Sequence, residues 1–136
     1  VQALPGVTVG SVRAFVPSAV RDVPHEIAKL QIKGTELEHG EDLPLEEDAP
    51  LIAIDASLEM SAGKAAAQVG HASMLLAAAW DAEWVQRWTQ AGFPLNVREV
   101  GAEEFRELCG RPGAMLVRDT GFTEVAPGST TVVAIA

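Results

Sequence analysis

The stretch Met60–Trp80, MSAGKAAAQVGHASMLLAAAW, decides how the rest of the chain is read. Its residues are nearly all small and apolar, and Ser61 stands where an N-cap belongs, so it predicts a helix from about Ala62 to Trp80. On a wheel of about 100° per residue that starts at Lys64, Gln68 falls near 40° and His71 near 340°. The three polar side chains therefore share one narrow stripe. Ala65, Val69, Ala72 and Leu76 fall on a separate side, near about 80° to 140°, and form the expected core-facing stripe. The small residues would let this helix lie close against a sheet. An isolated K-x₃-Q-x₂-H pattern is ordinarily a solvated helix face. Here it lies in the first turns of the helix, where free N–H groups and the helix dipole favour an anion. Gly63 permits close approach, and a phosphate or a developing oxyanion is the natural guest.

Around this helix the punctuation is clear from residue 50 onward. LIAID is a short apolar run, as expected of a buried strand. Asp81 can cap a second helix that Gly92 would end. LNVREV alternates and reads as a strand; AEEFRELCG reads as a short helix closed by Gly110; AMLV and TTVVAIA read as strands. The connection RDTGFTEVAPGS between the last two is long for a hairpin, and long ordered loops often carry function. The order β-α-α-β-α-β-β implies an α/β fold, with helices flanking a small mixed sheet of about four strands.

The first third is less regular. VTVGSVRAFVP (Val7–Pro17) is β-branched and reads as a strand. In PHEIAKLQIKG, the alternation of Ala28, Leu30 and Ile32 with Lys29, Gln31 and Lys33 favours a strand over a short helix bracketed by Pro24 and Gly34. TELEHGEDLPLEEDAP is acidic and reads as a linker at about 36–50. The expected organisation is thus an N-terminal extension of unassigned role, 1–49, and an α/β domain, 50–136.

At 136 residues the chain is long enough to bury a real core. Its net charge of −9 is spread over both parts: residues 1–49 hold 9 acidic and 4 basic side chains, and residues 50–136 hold 10 and 6. This is not the basic stripe of a strong nucleic-acid binder. No apolar run reaches the length of a membrane span, so no membrane association is expected. There is no secretory signal at the N-terminus, and a cytoplasmic location is the default expectation. Val1 in place of Met suits a processed product or a fragment. The single cysteine, Cys109, excludes an internal disulfide and any cysteine-based metal cluster, and reads as packing. His25 and His39 have no partner spacing for a metal. Trp80, Trp84 and Trp88 recur at i, i+4; a core or dimer-interface stripe is favoured over base stacking.

GKAAAQVGHA, followed some fifty residues later by RDTGFTEVAPGSTTVVAI, resembles the type-two peptidyl-tRNA hydrolases of archaea and eukaryotes. That family shows G-K-x-A-A-Q-x-x-H-A at a helix start and D-x-G-x-T-x-x-A-P-G-S/T-x-T near its end. The resemblance spans roughly residues 50–136. It implies cleavage of the ester between a peptide and the 3′ ribose of tRNA, with no metal or organic cofactor, by a protein that is usually a homodimer. Carried over by motif, Lys64, Asp119 and Thr123 are the candidate catalytic residues. Gly63, Gln68, His71 and Thr131 are candidate substrate-binding residues.

Ester hydrolysis needs an activated water and a stabilised oxyanion. Asp119 is expected as base or water-positioner, with Thr123 orienting the same water; base work would require a raised pKa. Lys64 and nearby helix N–H groups would hold the oxyanion or a phosphate. His71 would orient substrate or act as a second acid/base, and Thr131 would bond the nucleotide end. The chain also departs from the family pattern D-L-K-M-G-K-G-K, reading S-L-E-M-S-A-G-K. Ser57 stands for the aspartate, Glu59 and Ala62 for lysines, and Phe122 for an arginine in the later motif. Ala134 and Ala136 replace glycines. The hydrolytic residues remain while the phosphate-binding ones are thinned, so weak binding of peptidyl-tRNA is expected. Two alternatives follow: a non-catalytic binding module of the same fold, and an esterase or amidase for a small acyl substrate.

Overall fold

The computed structural model describes residues 4–10, 12–28, 40–121 and 124–136. The chain divides into two compact units, Val1–Gly34 and Thr35–Ala136.

In the first unit, β1 (Gly6–Val9) and β2 (Val12–Phe15) form an antiparallel hairpin in which Val9 pairs with Val12. A single strand was expected here. Gly10, at φ +57°, breaks it, because a tight turn needs a backbone that glycine adopts without a steric cost. Further on, α1 (His25–Ala28) is a single helical turn. The strand expected across Ala28–Lys33 therefore does not begin at Ala28, and its remaining positions lie outside the described residues.

The second unit is built on a mixed four-stranded sheet. Its elements are β3 (Leu51–Asp55), α2 (Ala62–Ala79), α3 (Ala82–Gln90), β4 (Asn96–Val100), α4 (Ala102–Cys109), β5 (Met115–Arg118) and β6 (Thr130–Ile135). The strand order is β4-β3-β6-β5, with β3 parallel to β4 and β6 antiparallel to both neighbours. Helix α2 lies on one face, over β3, β5 and β6, and α4 lies on the other.

Strand alternation sorts the core. Ile52, Ile54, Val132 and Ala134 pack with Ala65, Ala72 and Leu76 of α2. Ala53 and Val133 point the other way, to Phe105 and Leu108 of α4. Both long helices start on the expected caps: the Ser61 side chain accepts from Lys64 N, and the Asp81 side chain accepts from Trp84 N.

The acidic segment, where described, is not a loose tether. The buried Asn96 side chain accepts from Glu46 N at 2.8 Å and donates to the carbonyls of Glu46 and Ala49 at 2.9 and 3.1 Å. Arg98 donates to the Leu43 carbonyl. These bonds strap residues 42–49 beside β4, an edge strand whose free N–H and C=O groups would otherwise invite unwanted pairing.

The three tryptophans differ in burial. Their rings stack 5.3 Å apart in succession along α3 and its approach. Trp88 is buried and donates to the Pro94 carbonyl at 2.9 Å, Trp84 is half-buried, and Trp80 is exposed at the end of the row.

Candidate active site

The carboxyl ends of β3, β4 and β5 lie at one edge of the sheet, the edge at which open α/β sheets place ligands. Helix α2 starts just beyond β3, Asp119 follows β5 directly, and β6 begins beside them. Residues 55 positions apart in sequence meet there. Lys64 Nζ donates to Asp119 Oδ2 at 2.5 Å, with only 12% and 10% of the two side chains exposed. Gln68 Nε2 donates to the same oxygen at 2.8 Å, and Gly121 N donates to Oδ1 at 2.7 Å. Behind them, Thr131 Oγ1 donates to Gln68 Oε1 at 2.8 Å. With its amide oxygen taken by a hydroxyl and its NH₂ by a carboxylate, Gln68 has one chemically consistent orientation.

Electrostatics follow from this wiring. The hydrogen bond from Lys64, then that from Gly121 N–H, hold the Asp119 carboxyl below the usual carboxylate range, with Gln68 adding to them; partial burial opposes the shift and is outweighed. This is opposite in direction to the raised value that efficient base work requires. Glu124 is lowered as well, first by the Ser61 hydroxyl, then by Ser61 N–H, with the Lys64 charge contributing.

The loop is shaped by its own backbone. Asp119 N donates to Ser129 O and Gly128 N to Asp119 O, at 2.9 and 2.7 Å. Gly121 sits at φ +80°, and a Cβ there would lie 2.5 Å from Pro127. Pairing of β5 with β6 jumps from Val117–Val132 to Arg118–Thr130, so Thr131 is the bulged residue. Strict alternation would send its side chain with Val133 toward α4. The bulge re-aims it to Gln68 on the α2 side.

The expected residues thus fall into groups. Lys64 and Asp119 are in contact. Gln68 and Thr131 are buried, at 3% and 0% exposure, and their polar atoms are bonded inside the protein. This differs from the expected substrate contacts: Gln68 lies at the margin of the core-facing stripe rather than on a solvated face. Gly63 is half-buried in the first turn of α2. His71 is exposed and makes no hydrogen bond or ion pair among the described residues, so the polar stripe does not close into one cleft. Thr123 lies outside the described residues. The pairing of Glu124 with the N-cap Ser61 was not expected, because no spacing rule joins residues 63 apart.

Beside this network, Asp55, Glu59 and Glu99 help line a cleft of about 270 Å³. A larger cavity of about 570 Å³, walled by Trp84, Trp88, Pro50 and Pro94, lies at the opposite edge, away from the Lys64–Asp119 pair. Among the described residues no cluster suited to a metal ion is present.

A lysine held on a carboxylate at a helix start, at the carboxyl edge of a small mixed sheet, marks the candidate site of this α/β protein. The family model for peptidyl-tRNA hydrolase PTH2 matches residues 50–136. The chain is 35% identical over 96 residues to the peptidyl-tRNA hydrolase of Pyrobaculum aerophilum, covering 62% of this chain and 79% of that one. It is 37% identical over 93 residues to that of Methanopyrus kandleri, covering 62% and 80%. Identity to that of Halobacterium salinarum is 37% over 91 residues, covering 62% and 81%. The chain belongs to the type-two peptidyl-tRNA hydrolase family.

Proposed function

We propose that this protein hydrolyses the ester joining a peptide to the 3′ end of tRNA, using the network at the start of α2. Family membership supplies the reaction. The observation that carries the reading at the residue level is the Lys64–Asp119 pair, backed by Gln68 and Thr131. Water attacks the ester carbonyl, negative charge develops on the carbonyl oxygen, and the Lys64 ammonium with the first N–H groups of α2 stabilises it; the adduct then breaks its bond to the 3′ ribose oxygen, which leaves with the proton given up by the water. Asp119, bonded to three donors, is a weak proton acceptor. Its role in this reading is to aim Lys64 and position the attacking water, with Thr123 as a second water ligand. Gln68 and Thr131 support the pair from within, and His71 is left to contact substrate at the rim. The hydrolytic part is residues 50–136, with the acidic segment as its strap.

The reading includes a homodimer in the cytoplasm. Support for the dimer is the outer face of α2, where Ala66, Ala67, Gly70, Met74, Ala77 and Ala78 are all exposed, Met74 by 71%. A solvated helix face is ordinarily charged or polar.

One observation favours the second reading, a binding module without turnover. Glu59 and Ala62 replace cations at the edge that would meet tRNA, and an acidic cleft adjoins it. Release of tRNA from a synthetic peptidyl-tRNA separates the two. Turnover supports hydrolysis; salt-sensitive binding with no release supports the binding module; hydrolysis of small acyl esters alone would replace both.

A further inference from the structure

We propose that Glu124 is a positioning residue for this hydrolysis, a second clasp that holds the 119–129 loop on the start of α2 and so keeps Lys64 aimed at Asp119. The inference rests on the reading of the site given above.

The loop grips the helix start in two places. Asp119 takes the Lys64 ammonium. Five residues on, Glu124 accepts from both Ser61 N and Ser61 Oγ, each at 2.7 Å. Ser61 is also the N-cap of α2, its Oγ accepting from Lys64 N at 3.3 Å. A hydroxyl has one proton and two lone pairs. Glu124 takes the proton and thereby turns a lone pair toward Lys64 N, which sets the cap. Glu124, Ser61, Lys64 and Asp119 thus form a closed circuit through helix and loop. Near the first grip, Gly121 is packed on Pro127 with no room for a Cβ. Glu124 is exposed, and its bonds to Ser61 lead on to Lys64.

The test uses the full chain with Glu124→Ala, Glu124→Gln and Ser61→Ala. Turnover of synthetic peptidyl-tRNA gives kcat and KM, and NMR gives amide hydrogen exchange at Ser61 and Lys64. Glutamine can still accept from Ser61 N–H and donate to Ser61 Oγ, whereas alanine can do neither. In Glu124→Ala, kcat should fall about fivefold, as for loss of exposed charge-assisted bonds. KM should stay within about twofold, and both amides should exchange about fivefold faster. Glu124→Gln should restore both readouts to within about twofold, and Ser61→Ala, which keeps the backbone bond to Glu124 but loses the cap, should speed exchange at Lys64 more than at Ser61. The clasp is overturned if Glu124→Ala leaves kcat intact, if Glu124→Gln falls as far as alanine, or if the loss is confined to KM. A wild-type chain with no turnover would sink the proposed function instead. Exchange would then decide the clasp alone, and unchanged exchange in Glu124→Ala would refute it.

Discussion

Replacing Asp119 by asparagine tests the centre of the site. The carboxylate accepts from Lys64 Nζ, Gln68 Nε2 and Gly121 N. An asparagine side chain offers one oxygen and one NH₂. If the oxygen stays on Gly121 N, the NH₂ faces two donors, one of them a nearly buried ammonium that no longer has the Asp119 charge beside it. Breaking a fully buried pair from one side costs about 3–5 kcal/mol. About a tenth of each side chain remains exposed, so Asp119→Asn should cost about 2–4 kcal/mol in denaturant unfolding. Turnover should fall by about 10² or more, because Lys64 loses its aim at the oxyanion, while tRNA affinity changes little. Adding Lys64→Met should recover part of the stability, because the clash of the ammonium with the asparagine NH₂ is gone, but none of the turnover. The pH dependence has a definite sign. The folded Asp119 carboxyl binds its proton less readily than the unfolded one, so its stabilisation is complete above the unfolded value of about 3.9. It is lost as pH falls through the lower folded value. Asp119→Asn should flatten that acid slope, leaving the share from Glu124, which is lowered too. A stability change below about 1 kcal/mol, together with undiminished turnover, would refute the account of this pair.

Thr131→Val removes a hydroxyl bonded to Gln68 and leaves the amide oxygen unpaired in the core; it should cost about 1–3 kcal/mol by thermal or chemical unfolding, and turnover should drop with it. Trp88→Ala should cost about 3–5 kcal/mol and Trp84→Ala less, in keeping with their burial; intact stability with weakened RNA binding would favour stacking on the tryptophans. The unaltered protein should bind tRNA weakly with a shallow salt dependence, and Glu59→Lys with Ala62→Lys should tighten binding and steepen the salt slope by about two; no gain would show that this edge does not meet RNA. Met74→Lys should shift the protein toward monomer in light scattering, and an unchanged mass would remove the α2 face as the dimer contact.

Local sequence was enough for much of the second unit. Ser61 and Asp81 start their helices, Gly110 ends α4, and the alternation Ile52-Ala53-Ile54 and Val132-Val133-Ala134 deals side chains to two cores. These features rest on interactions within a few residues, where spacing translates directly into direction. The motifs also named Lys64 and Asp119. In the first third, β-branched residues on both sides of Gly10 hide the turn there, and local sequence reads as one strand where the fold has a hairpin. Other features depended on partners far along the chain. Gln68 sits on the margin of two wheel stripes, and only the presence of Asp119 and Thr131 in the assembled sheet makes its burial tolerable. Thr131 reaches it because a bulge between β5 and β6 cancels the alternation that its position predicts. Asn96 and Glu124 look ordinary in sequence and acquire roles from backbone 47 to 63 residues away. The direction of the Asp119 shift was decided in the same way, since a carboxylate's pKa is set by the donors gathered around it, and that gathering is a property of the folded chain.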